Sequence, residues 1–196
     1  MVASKNKKSQ QTNTLRIIAG RWRGRKLSFA DSPGLRPTSD RVRETLFNWL
    51  QASVPNSRCL DLFSGSGALG LEALSRGAAH VTFLEKKTAV VEMLNAQLKL
   101  LQANEQAKVL QIDAIEFLDT ADTQPFDIVF LDPPFDDNLW QVCCEKLISG
   151  QRLTPGALIY IEQDKRSSKL SLPKAWEVLK QKSAGNVCYQ LVKASG

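Results

Sequence analysis

From Ser57 onward the chain repeats one pattern that few folds can use: a short apolar strand, a turn, a helix and another strand. RCLDLF leads into GALGLEALSR, a helical stretch stopped by Gly77. HVTFLE leads into KKTAVVEMLNAQLKLLQA, KVLQID into the short AIEFLD, and FDIVFLD into NLWQVCCEKLIS, which Gly150 ends. ALIYIEQ is the fifth strand. Strands separated by helices run parallel, because each helix carries the chain back across a face of the sheet. The closing segment AWEVLKQKSAGNVCYQLVK holds two more strands around Ser-Ala-Gly-Asn. That turn is too short for a crossover, so this pair runs antiparallel. The expected fold class is α/β: a mainly parallel seven-stranded sheet with an antiparallel last strand and helices on both faces.

The first strand–turn–helix carries DLFSGSGALG, in which Gly65-x-Gly67-x-x-Gly70 bridges a strand and a helix. Glycines let a ligand approach the backbone, and the helix start offers free N–H groups to an anionic group. Taken alone the motif is weak; in this context it indicates a nucleoside-containing cofactor. Glu85 ends the next strand twenty residues after Gly65, where a carboxylate can accept both ribose hydroxyls. Asp61, four residues before the first glycine, can hold an ammonium group, which S-adenosylmethionine has and NAD lacks. Asp113, ending the third strand, can accept from an adenine amino group. The plain alternative is a Gly-rich turn with unrelated acids.

The fourth strand leaves its apolar run through FLDPPF. Asp132 and the carbonyl of Pro133 can both accept from one exocyclic NH2. Two such acceptors turn its lone pair out of conjugation with a flat ring. Proline fixes the carbonyl direction and brings no competing N–H. Phe135 can stack on a base removed from its helix or loop. A stiff loop whose aspartate merely caps the next helix is the structural alternative.

Ahead of this unit, LRIIAGRWRGRKLSF reads as two strands around a glycine turn. RPTSDRVRETLFNWLQ reads as a helix capped by Thr38 or Ser39, with Val42, Leu46, Trp49 and Leu50 inward and Arg41, Arg43 and Glu44 on the opposite face. The expected division is a disordered basic tail over 1–14, a hairpin-and-helix extension over 15–50, and a catalytic domain over 51–196. Residues 1–50 hold eleven Lys or Arg against three acids, a net of +8, whereas the remaining residues hold fifteen against seventeen, a net of −2. A polyanion would therefore meet the extension, with Arg21, Arg23, Arg25 and Arg41 as candidate RNA contacts.

The basic N-terminus lacks the apolar stretch of a secretory signal, and no run approaches the ~20 apolar residues of a membrane span. The four cysteines form no C-x-x-C pair and His80 is the lone histidine, so no metal site is expected. Reduced thiols in a cytoplasmic protein fit this usage.

GSGALG followed by DPPF resembles the class I (Rossmann-like) S-adenosylmethionine-dependent amino methyltransferases. More narrowly, IIAGRWRGRKL, GLRPTSDRVRETLFNWL, LDLFSGSGALGLEALSRGA and FLDPPF are similar to the RsmD family of ribosomal RNA guanine-N2 methyltransferases, from about Leu15 to Val192. The resemblance implies methylation of guanine 966 of 16S rRNA within an assembled or nearly assembled small subunit; the protein itself is expected to be a monomer. It implies cofactor contacts at Asp61, Gly65, Gly67, Glu85 and Asp113, and the amino-group site at Asp132, Pro133 and Phe135. Two rivals are a DNA adenine-N6 methyltransferase, which shares DPPF, and a non-catalytic RNA-binding module.

Overall fold

A computed structural model describes residues 12–30, 38–120, 124–134, 139–166 and 171–195. Most of the sequence assigned to a basic tail therefore lies outside the described residues, as does Phe135. A hairpin of β1 (Thr12–Arg16) and β2 (Lys26–Ala30) opens the fold, with Leu15 opposite Leu27. Its first strand thus starts at Thr12, a little before the expected boundary. Helix α1 (Asp40–Trp49) follows, capped by Ser39, whose Oγ accepts the Val42 amide at 3.4 Å.

The remainder alternates as the sequence implies: β3 (Arg58–Asp61), α2 (Ala68–Ser75), β4 (His80–Glu85), α3 (Thr88–Leu100), β5 (Ala107–Gln111), α4 (Ala114–Asp119), β6 (Phe126–Leu131), α5 (Trp140–Ser149) and β7 (Leu153–Asp164). Strands β8 (Trp176–Ala184) and β9 (Val187–Ala194) end it. The seven-stranded sheet has the order β5-β4-β3-β6-β7-β9-β8. Pairings are parallel as far as β7, and β9 is antiparallel to both β7 and β8. The order reverses between β3 and β6, which opens a crevice at the carboxyl ends of those strands.

Strand alternation sends side chains into two cores. Cys59, Ile128, Phe130 and Tyr160 meet α1, α2, α3 and the hairpin, whereas Leu60, Val129, Leu131 and Ile159 meet α4 and α5. Cys59, Cys143 and Cys144 are buried thiols, and burial raises each to about 12.

One expectation about α1 is corrected. Arg43, read as facing away from the core, is fully buried, and Phe47 joins Val42, Leu46 and Leu50 on the inner face, with Trp49 partly buried against the same core. The reason lies on α2, where Glu72 is also fully buried. Its Oε2 accepts the Ile18 amide at 2.8 Å and lies 3.5 Å from the Arg43 guanidinium. Its Oε1 accepts the Ala19 amide at 3.0 Å and Arg76 Nε at 2.7 Å. Arg43 also donates to Asp40 at 2.6 Å and to the Arg16 carbonyl at 2.9 Å. A single carboxylate thus ties the hairpin, α1 and α2 together. Beside it, Gly20 has φ +82°, and a Cβ there would sit 1.9 Å from the Ser75 carbonyl oxygen, so only glycine allows this approach.

Candidate active site

Each acid singled out in the sequence lies at the end of a strand on the crevice edge. Asp61 closes β3 and is buried, and its Oδ2 accepts the Gly70 amide at 3.1 Å across the glycine loop. Burial pushes this carboxyl up to about 7, the Gly70 amide opposes the shift, and the charge of Glu85 adds to it. Gly65 and Gly67 have φ of 49° and 75°. A Cβ on Gly67 would approach Leu94 Cδ2 on α3 to 2.5 Å, and the left-handed backbone there favours glycine in its own right. A buried carboxyl bonded to one amide among the described residues has capacity left for a cationic group.

Glu85 ends β4, and its Oε1 accepts the Lys87 amide at 2.8 Å. Asp113 caps α4 through the Ile115 amide at 2.8 Å and pairs with Lys86 at 3.2 Å. Burial acts to raise Asp113, but the Ile115 amide, Lys86 and the Glu116 amide outweigh it and hold the carboxyl below its ordinary value. Asp113 therefore has a structural task independent of any ligand. Glu85, at the next strand end, keeps its second oxygen for one.

Asp132 directly follows β6, on the far side of the crevice from the glycine loop. It is half-buried and followed by buried Pro133 and exposed Pro134. Thr38 Oγ1 donates to its Oδ2 at 3.2 Å. The N-terminal extension thus reaches into the crevice edge, a contact missed in the sequence because Thr38 and Ser39 were equivalent as caps. Since Ser39 caps α1, Thr38 is left to hold Asp132. Burial and then the nearby Glu162 push Asp132 well above the usual carboxylate range; the Thr38 hydroxyl opposes them and Asp61 adds to the rise.

The four arginines named as RNA contacts are not gathered in one place. Arg41 is exposed in the first turn of α1, three residues from Thr38. Arg21, Arg23 and Arg25 are exposed on the hairpin loop, which docks on the C-terminal ends of α2 and α3. The Arg21 amide donates to the Ser75 carbonyl at 2.7 Å, and Arg25 Nη1 to the Leu100 carbonyl at 3.3 Å. Crossover helices run opposite to their strands, so this loop lies at the other edge of the sheet. The thirteen residues of α3 put it about 20 Å from the crevice. Trp22 between them is buried against the docking site and offers no free ring. Among the described residues no cluster suits a metal ion, and no helix is long and apolar enough to cross a membrane.

A parallel sheet reversing at β3/β6, a glycine loop after β3 and an antiparallel final strand define the class I methyltransferase fold. The family model described as conserved hypothetical protein 95 matches residues 15–193, and the chain belongs to that family, the RsmD family. It is 50% identical to the ribosomal RNA small subunit methyltransferase D of Haemophilus influenzae over 94% of this chain and 98% of that protein. The Escherichia coli K12 protein of the same name is 48% identical over 90% of this chain and 88% of its own. A solved Escherichia coli structure provisionally described as a methyltransferase superposes with a TM-score of 0.87 at 43% identity, covering 93% of this chain and 99% of that one.

Proposed function

We propose that this chain transfers a methyl group from S-adenosylmethionine to the exocyclic N2 of a guanine in small-subunit ribosomal RNA, guanine 966 of 16S rRNA by family resemblance. The substrate is the assembled or nearly assembled subunit, and the enzyme acts as a cytoplasmic monomer. The observation that carries this reading is Asp132, fixed by Thr38 and followed by a buried proline, across the crevice from the glycine loop at the strand-order reversal. Asp61 fits the cofactor's ammonium group and Glu85 its ribose hydroxyls. When bound, the cofactor supplies an electrophilic methyl on a sulfonium. Asp132 and the Pro133 carbonyl accept from the guanine NH2 and aim its lone pair. Most of the acceleration comes from that positioning. Phe135 is assigned to stacking from the sequence alone.

Mass spectrometry of digested RNA, after incubating small-subunit particles with labelled cofactor, tests this directly. Labelled N2-methylguanosine is expected; label on a different base, label on adenine of DNA offered in a parallel incubation, or no transfer at all, would overturn it. Short naked oligonucleotides should be poorer substrates than particles, since so small an extension reads shape better than sequence.

Two cofactor measurements follow from the geometry. Glu85→Ala should weaken S-adenosylmethionine binding by about 1–3 kcal/mol in calorimetry, and unchanged affinity in a folded variant would remove Glu85 from the site. Affinity should also depend on pH through Asp61. The ammonium group needs its charged form, which is full above about 7 and lost as pH falls through that value. Binding should therefore weaken up to roughly tenfold per pH unit below it; a flat profile over that range would separate Asp61 from the ammonium.

The arginines give a further test. If RNA spans both edges, replacing Arg21, Arg23 and Arg25 with glutamine should weaken substrate binding and flatten its salt dependence. Cofactor affinity should stay the same. An unaltered salt slope would confine the RNA to the Arg41 edge.

A further inference from the structure

Asp132 has an acidic neighbour that the proposed chemistry has not used. Strands β6 and β7 run parallel with Leu131 opposite Ile161, so Asp132 and Glu162 come next in line on adjacent strands. Phe130 and Tyr160, two residues earlier, share one core, and alternation places the two acids on that same face. Glu162 is 6% exposed. The Tyr160 hydroxyl donates to its Oε2 at 2.5 Å, and Trp140 Nε1 donates to its backbone carbonyl at 2.6 Å. Among the described residues no Lys or Arg forms an ion pair with Glu162 or Asp132. A buried acid beside a half-buried one, with no cation paired to either, opposes folding. Their arrangement calls for a use in the chemistry.

We propose that Glu162 is a positioning residue for methyl transfer: its carboxylate beside Asp132 makes Asp132 a stronger proton acceptor than a lone carboxylate, and the pair then holds between them the one proton that the amino group sheds. This rests on the amino-group reading given above. In the step, the nitrogen lone pair forms the N–C bond, and the C–S bond breaks with its electron pair going to sulfur. The proton shed by the alkylated nitrogen passes to Asp132. The acid pair goes from doubly ionised to singly protonated, and water later removes that proton. Tyr160 keeps Glu162 aligned, and Thr38 does the same for Asp132.

The groups around the pair favour such sharing. Asp61 on β3 adds negative charge from one side, Tyr160 on β7 donates its hydroxyl to Glu162, Tyr189 on β9 stands opposite Glu162, and the segment leading into α1 contributes the Thr38 hydroxyl. Burial raises Glu162 too, and only the Tyr160 hydroxyl opposes it. Like charges this close do not ionise independently.

Two measurements test the proposal. Carboxyl-carbon NMR titration of the complete, unmodified chain should show Asp132 and Glu162 titrating together in two steps, at least one above the ordinary carboxylate range. Single-turnover methylation of small-subunit particles should fall as pH drops through the lower limb of the wild-type profile. In Glu162→Gln that limb should move to lower pH by about one unit or more, because the charge that raises Asp132 is gone. Glu162→Asp should keep the limb near its wild-type place. Independent titration in the ordinary range, or a limb that stays put in Glu162→Gln, would overturn the proposal. If Glu162→Gln does not fold, the titration of the unmodified chain decides alone. A product other than N2-methylguanosine would remove the amino-group reading while leaving the coupled titration standing.

Discussion

Glu72→Ala is expected to lower the unfolding free energy by about 3–5 kcal/mol, the usual cost of removing one partner from a buried ionic cluster. The change strands more than an ion pair. The Ile18 and Ala19 amides lose their acceptor, Arg76 loses a 2.7 Å bond, and fully buried Arg43 keeps only Asp40 and a backbone carbonyl. Breaking a buried pair in this way leaves the guanidinium with fewer partners in the core. In a chain of this size the loss corresponds to a drop in Tm of about 10 °C. Hydrogen exchange should localise it, with the Ile18 and Ala19 amides losing protection before the central strands. Asp40→Ala is the contrast: Asp40 is 53% exposed on its side chain, so its loss should cost less than about 1 kcal/mol. Urea unfolding of both variants checks the difference, and equal small effects would mean that the extension is held by its apolar contacts alone.

The sheet was legible because its signals are local. Apolar runs set the strands, and the acids and glycines that matter directly follow them, so Asp61, Glu85, Asp113 and Asp132 could be placed on one edge from spacing. Glu162 obeys the same rule at the end of ALIYIEQ, and applying it to the fifth strand would have found it. What stayed hidden depends on contacts far apart in the chain. Arg43 looked turned away from the core because nothing near it in sequence announces Glu72 on another helix. Thr38 could not be told from Ser39 until one had capped α1 and the other had met Asp132, 94 positions away. Surplus charge identified the extension but not its orientation, and the docking of Gly20 and Trp22 against Ser75 turns Arg21, Arg23 and Arg25 away from the crevice.

Asp132→Ala is expected to reduce the single-turnover methylation rate by roughly 10²–10³, the usual loss when one preorganised polar contact leaves a reacting centre. The effect belongs to turnover rather than capture. In the proposed site the side chain reaches the amino group only once the base is in place, whereas the cofactor is assigned to the glycine loop, Asp61 and Glu85. S-adenosylmethionine affinity should therefore change little, and KM for the particle less than kcat. Asp132→Asn separates the geometric from the electrostatic part. It keeps one oxygen acceptor but presents an NH2 to the guanine NH2 and cannot take a proton, so most of the loss should persist. The pH profile carries the same signature. Asp132 accepts only when ionised, and its carboxyl lies well above the ordinary range, chiefly through burial and Glu162. Activity should thus be present above that raised value and fall as pH drops through it, a limb that Asp132→Asn should abolish. Thr38→Val, which removes only the 3.2 Å donor, should lose less, because Asp132 remains and only its aim is relaxed. Near-normal turnover in Asp132→Ala would reduce DPPF to a stiff loop and move the amino-group site elsewhere in the crevice.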